Sequence, residues 1–501
     1  MESGGANMSV YAGLALGALA LLSIILAIRG ARKTKSLSDY ALGSKGFSPW
    51  SVGLALAASM TSAATFIINP GIIGYYGVSA FIAYAIVLPI AALGTLVLVS
   101  KAFRQMGVKQ QSLSLSHWLE NQYQSPFLGK LFAFLSLLML TFIVLIVVGL
   151  SQVISSSLNI EAQTAMLILI AVVFGYMMFG GANSMVYTNT IQALLMLVVA
   201  FLLLGSGHEH FSEGLSGFLK KLENIDPKLA QVPYPESPLF RDYFEIIICQ
   251  ILIGIAIIFQ PHIITKSLLL KDDRALSKYL ITAVVVEIIF FMVVLTGLYA
   301  RLEFPDLQVN GSILSPDQMV SVYVVQEFPV WLGLIVILGL ISAGLSTLEG
   351  LIQALSTTIN REIVQSYFFP ETKKALSESQ KLKLNRIIII FLAVVSAIWS
   401  WQQIVNPNLS VALLAQNGVY AFFAAAFVPI AFGLFIRNFG KVPATTAAIL
   451  AIVTHFGTYY LRLGPYMQEE VRNPAVAASY AIIIASLSGL ILHFTQKRSA
   501  I

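Results

Sequence analysis

Residues 51–77 read SVGLALAASMTSAATFIINPGIIGYYG. The stretch is apolar and long enough to cross roughly 30 Å of hydrocarbon, which takes about 20 helical residues. Yet its middle gathers Ser59, Thr61, Ser62 and Thr65 among small alanines, and Asn69–Pro70–Gly71 is expected to interrupt the helix. Unwound backbone at bilayer depth is tolerated only where it lines a cavity, and its freed carbonyls and amides can bind ions and solutes there. A structural kink and a binding site both fit this segment alone. A second segment, IIICQILIGIAIIFQPHIITK at 246–266, repeats the pattern with Gly254 and Gln260–Pro261–His262. The two lie five spans apart, as an inverted five-plus-five repeat would place them, and that spacing favours a site.

Working outward, apolar runs recur along all 501 residues, of which 57% are hydrophobic and 11% charged. A soluble domain carries about 25% charged residues, so an all-helical integral membrane protein is expected. Thirteen spans are predicted, near 8–29, 50–75, 78–100, 128–157, 162–180, 189–206, 244–270, 279–300, 329–359, 386–404, 408–435, 443–463 and 474–495. The first is preceded by Glu2 and followed by Arg29, Arg32, Lys33 and Lys35, the reverse of a signal peptide, so it reads as a retained span with its N-terminus outside. That orientation puts 23 of the 30 Lys and Arg residues in cytoplasmic segments, as the positive-inside rule requires, and the C-terminus inside. The net charge of +6 therefore reports topology and lipid contact, and no nucleic-acid partner is expected. The chain reads as one transporter domain: span one (8–29) peripheral, core repeats at about 50–206 and 244–435, accessory spans at 443–495. Residues 207–243 form an outer loop and 360–385 an inner loop, where ETKKALSESQKLK looks like a short solvated helix. His208 and His210 of the outer loop could pair on a metal, although a plain solvated loop explains them better. Cys249 is the only cysteine, which excludes an internal disulfide. No GxxxxGK[ST] is present, against an ATP-driven pump, and no H-E-x-x-H or nucleophile elbow, against an enzyme.

The ninth span, WLGLIVILGLISAGLSTLEGLIQALSTTINREI at 331–363, is the most informative. Ala343, Ser346, Thr347, Gly350 and Ala354 fall on one helical face of small or hydroxyl residues. Such a face is either a close-packing seam, with hydroxyls bonding back to their own helix, or an oxygen donor surface for a hard cation. Spacing alone leaves both open.

Four further motifs narrow the choice. SLSDYALGSKGFSPW (36–50), the stretch Gly180–Gln192 with YTNTIQ, QPHIITK (260–266) and SAGLST (342–347) together resemble the sodium:solute symporter family, from the first loop to about residue 440. The QPH form is most similar to the branch of proline, pantothenate and short-chain carboxylate carriers. The resemblance implies a leucine-transporter-like bundle of ten core helices, spans two to eleven, in the inner (plasma) membrane. It also implies symport of a small solute with Na+ as the coupling ion, without an organic cofactor or an obligate protein partner. Its main sodium site would take backbone carbonyls from Ala58, Thr61 and Ala343 and the hydroxyls of Ser346 and Thr347. Substrate would lie beside it against Ser59, Ser62, Thr65, Gln260 and His262, with Gln416 and Asn417 of span eleven closing the pocket. A monocarboxylate, a pantothenate-like acid or an amino acid such as proline is the expected solute, with a sugar as the weaker option.

Departures from the family pattern matter too. Where many members carry an aspartate in span six, this chain has Asn189, and it places Glu349 in span nine where relatives have a small residue. An acid at bilayer depth costs about 2.5–3.5 kcal/mol on insertion scales, so it is a functional candidate. Glu349 is expected to face Asn189 and to complete a second cation site or take up a proton; packing alone is the remaining option. Glu287 of span eight is equally open to a structural role, and Lys266 is expected to snorkel to the cytoplasmic surface. A channel or a non-transporting sensor is the alternative from another class. The two broken helices argue against the first, and the short stretch after span thirteen argues against the second.

Overall fold

The computed structural model describes residues 2–44, 46–309, 311–369, 376–406 and 411–499. Apart from one two-residue hairpin pairing Gln308–Val309 with Ser312–Ile313, the regular structure of these residues is helical. Among the described residues eleven helices are long and apolar enough to cross a membrane, and the bent pair Phe244–Ile257 with Pro261–Leu269, which turns by 56°, makes twelve. One of the eleven, Ala64–Lys109, runs for 46 residues; unbroken it would span about 70 Å, more than twice a bilayer core. Gly77, at φ 61° and ψ −142°, divides it. A Cβ there would lie 2.1 Å from the Leu229 carbonyl oxygen, so both the turn and its packing demand glycine.

The predicted break in span two falls in a different place. The helix Pro49–Met60 stops at Thr61, which is extended at φ −92° and ψ 96°, and helix resumes as the wide π-turn Ala64–Ile68. Asn69–Pro70–Gly71, expected to be the interruption, continues as helix. The reason is local: the Asn69 N–H bonds back to the Ala64 carbonyl, five residues earlier. This wider turn accommodates Pro70, which lacks an N–H and crowds a normal helical turn. Span seven breaks where expected, between Ile257 and Pro261.

Two loop expectations also change. Within the predicted inner-loop helix, residues 370–375 lie outside the described residues, while SESQKLK forms the first turns of the helix Glu378–Val405. Ser377 and Gln380 cap that helix reciprocally, which fixes its start well before the apolar run. In the other loop, His208 Nδ1 lies against the Gly205 carbonyl and His210 faces Glu303, and among the described residues no cluster suited to a metal forms. The half-helix Pro49–Met60 lies at the centre, packed against spans six, eight and nine, with Ala57, Ala58, Ser59 and Thr61 at 0% exposure.

Candidate functional site

At the break in span two the helix leaves carbonyls without partners of their own, and span nine supplies them. Ser346 Oγ donates to the Ala58 carbonyl (2.6 Å) and lies 3.1 Å from the Ala343 carbonyl. Thr347 Oγ1 donates to the Ser59 carbonyl (3.0 Å) and also reaches Ala343 O at 3.4 Å. The Ser59 hydroxyl returns the contact, donating to the Ser346 carbonyl (3.1 Å). Four of the five predicted sodium ligands, Ala58, Ala343, Ser346 and Thr347, thus converge with the Ser59 carbonyl on one fully buried crossing. The fifth, Thr61, ends the half-helix, and its hydroxyl donates to Glu287 Oε2 (2.7 Å).

The donor set suits a hard monovalent cation. It consists of neutral oxygens alone, the chemistry alkali and alkaline-earth ions select over nitrogen or sulfur. The two hydroxyls would need only to turn their protons away to present lone pairs to such an ion.

Next to this crossing lies a cavity of about 90 Å³. Ser62, Thr65, Gln260 and Gln416 of the predicted substrate set line it. Gln260 Oε1 has no partner, its amide nitrogen being spent on the Ile257 carbonyl. Phe142, Phe291 and Phe423 supply an apolar wall, and Tyr84 and Tyr420 join them. The other three predicted residues sit elsewhere. Ser59 belongs to the oxygen crossing. His262 packs on span nine, where a Cβ on Gly350 would lie 3.4 Å from it. Asn417 turns to span twelve, donating to the Tyr460 hydroxyl (3.1 Å) and bonding His455 (2.9 Å). One residue along a helix is a rotation of about 100°, enough to take Asn417 off the face that Gln416 presents.

Glu349 is completely buried, but its partners are not the expected one. Its Oε1 accepts from the Tyr176 hydroxyl (2.7 Å) and Gln192 Nε2 (2.9 Å), and its Oε2 from Thr188 Oγ1 (2.5 Å). Asn189 instead donates to Ser59 Oγ (2.8 Å) and the Ser346 carbonyl (3.4 Å). Thr188 and Gln192 stand four residues apart, so one face of span six holds the acid while Asn189, on the adjoining face, holds the crossing. Sequence reasoning missed Tyr176, Thr188 and Gln192 as partners. The TNTIQ spacing carried the signal for the last two; nothing local marked Tyr176. Lys266 does not snorkel to the surface: it is 2% exposed, and its Nζ has no hydrogen-bond partner among the described residues.

Two broken apolar helices flanking an oxygen-lined crossing and a cavity are the anatomy of a secondary transporter. The chain belongs to the sodium:solute symporter family, whose sequence model matches residues 40–450. It is 27% identical to the sodium/pantothenate symporter of Escherichia coli strain K12, covering 86% of this chain and 87% of that protein. It is 23% identical to the sodium/proline symporter of Salmonella typhimurium, covering 91% and 89%. Among solved structures it resembles a Na+-coupled sialic acid symporter in a substrate-bound, outward-open state, with a TM-score of 0.75 at 18% identity over 96% of this chain and 98% of that one. The fold is accordingly that of a leucine-transporter-like symporter, and the protein is a multi-pass transporter of the inner (plasma) membrane.

Proposed function

We propose that this protein imports a small carboxylate-bearing solute together with sodium by alternating access. The observation that carries the reading is the crossing itself, where Ser346 and Thr347 of span nine bond the carbonyls freed by the break in span two. In this reading sodium is bound by the carbonyls of Ala58, Thr61 and Ala343 and the hydroxyls of Ser346 and Thr347. It ties spans two and nine together and favours the outward-open state; its release to the cytoplasm loosens them. The topology is thirteen spans with the N-terminus outside, Gly77 separating the second from the third, and core repeats at about 50–206 and 244–435.

The solute occupies the cavity, with its carboxylate at the start of the half-helix after the break, beside Ser62 and Thr65. The positive dipole end of that helix and the hydroxyls of Ser62 and Thr65 favour an anion there. Gln260 Oε1 accepts a hydrogen bond from a donor on the solute, and Phe142, Phe291 and Phe423 receive its apolar body. This division into polar and apolar walls suits a carboxylate with a hydrocarbon part better than a hexose, whose hydroxyls point in every direction. The pantothenate and proline symporters among the relatives point the same way. Glu349, whose partners Thr188 and Gln192 flank Asn189 on span six, is the acid that answers a second positive charge, a cation or a proton.

The test is thermal stability of the purified protein with panels of monocarboxylates, amino acids and hexoses, each with and without sodium. A ligand that binds only the folded state raises its melting temperature. Monocarboxylates or proline-like acids are expected to stabilise, and only when sodium is present. Stabilisation by hexoses alone would overturn the solute reading, and stabilisation indifferent to sodium would overturn the coupling.

A further inference from the structure

Three neutral donors hold the Glu349 carboxylate, yet none of them balances its charge. A carboxylate removed from water is tolerated when a positive charge accompanies it, and leaving it alone is strongly destabilising. One cation approaches from span seven. Lys266 follows the break by five residues, and its side chain is buried. His262, one turn earlier in span seven, packs on Gly350, so this half-helix lies along the turn of span nine that carries Glu349. Nearby, Asn189 Oδ1 and Gln192 Oε1 are buried acceptors without donors, and the Lys266 ammonium has three hydrogens without acceptors. Buried acceptors on span six and a buried cation on span seven thus stand without partners on the two helices that border this acid.

We propose that Lys266 is a tethered counter-cation: its ammonium supplies the second positive charge at Glu349, in place of a second sodium ion. The inference rests on the proposed role of Glu349 and names the charge that role leaves open. With Lys266 charged, the Glu349 region is already neutral. A second sodium ion would be drawn there by the Glu349 charge, and the ammonium has already met that charge. A four-carbon stem also lets the ammonium follow span seven while span nine stays put, which a fixed arginine fork does less well. The chain therefore couples one sodium ion to each solute at the Ser346–Thr347 crossing.

The experiment uses the full chain in proteoliposomes and, in parallel, its thermal unfolding in detergent, for wild type, Lys266→Met, Glu349→Gln and the double variant. Wild-type uptake is expected to depend on sodium with a Hill coefficient of about 1, since that coefficient is bounded by the number of sites. Lys266→Met leaves Glu349 uncompensated, so it is expected to recruit a second sodium and steepen towards 2, and to melt several degrees lower. The double variant returns to a simple dependence and regains most of the lost melting temperature, the sign of direct coupling in a double-mutant cycle. If Lys266→Met does not fold, recovery of folded protein in the double variant supports the pairing and failure to recover overturns it. A cooperative wild type, an unaltered Lys266→Met, or additive melting losses would each overturn it as well. Sodium-independent uptake by the wild type would instead remove the symport reading, and the melting cycle would still report on Lys266 and Glu349.

Discussion

The two broken helices are made in opposite ways. Span seven breaks by local means: Gln260 is extended at φ −62° and ψ 136°, Pro261 opens the next turn, and the freed groups are satisfied within the segment. Gln260 Nε2 takes the Ile257 carbonyl and Thr265 Oγ1 the Pro261 carbonyl. Span two breaks at Thr61 with no proline in the break, and its freed carbonyls are met by residues more than 280 positions away, Ser346 and Thr347. A break satisfied by its own chain is a stiff elbow. A break satisfied by another helix opens or closes with that helix, so an ion that binds both reports their separation. That difference is why the coupling ion belongs at span two rather than at span seven.

The hardest blow to this contrast falls on the long-range bonds. Ser346→Ala and Thr347→Ala each remove one oxygen from a site with no formal charge. A hydrogen bond or ligand to a charged group is worth about 1.5–3 kcal/mol, so the sodium needed for half-maximal uptake should rise at least tenfold, with membrane insertion intact. Unchanged sodium dependence in either variant would break the assignment. A smaller effect is expected one shell out. Thr61 is held by Glu287, whose second oxygen has no partner, so Glu287→Ala frees the residue at which span two breaks. Uptake at limiting sodium should fall a few-fold, as for the loss of a single side-chain hydrogen bond of about 1 kcal/mol. Glu287→Gln keeps an acceptor and should lie between the two; equal loss in both would detach Glu287 from the break.

How far the sequence could be read follows from the same contrast. Span seven's break was legible because proline and the residues around it cause it. Span two's was misplaced by eight residues because Pro70 is the visible breaker, whereas the wide turn at Ala64–Ile68 absorbs it and the real break depends on span nine. The small-residue face of span nine was legible as periodicity, yet packing seam and ion site share that pattern; the family resemblance, rather than the spacing, chose between them. Gln416 and Asn417 were indistinguishable by composition, since both are polar neighbours in an apolar helix, and helical rotation sends one to the cavity and the other to His455. Glu349 announced itself as a buried acid, but its partner on span five, Tyr176, sits in a run with no local feature that could have revealed it.

The finest test compares the two prolines. Pro261 occupies the first turn after a true break, where its fixed φ preorganises the elbow. Alanine there restores an N–H that can compete for the Ile257 carbonyl now held by Gln260, and it loosens the 56° bend. Uptake should drop by a factor of about two to five, the equivalent of the roughly 0.4–1 kcal/mol that proline contributes at a compatible position. Pro70 sits beyond a π-turn that has already shifted the carbonyls, and alanine can continue that helix without strain. Pro70→Ala is therefore expected to leave sodium affinity and solute uptake at wild-type values, with a melting shift of a few degrees at most. Were Pro70→Ala the more damaging of the two, the functional break in span two would lie at Asn69–Pro70–Gly71 after all, and the long-range account of the Thr61 break would fail with it.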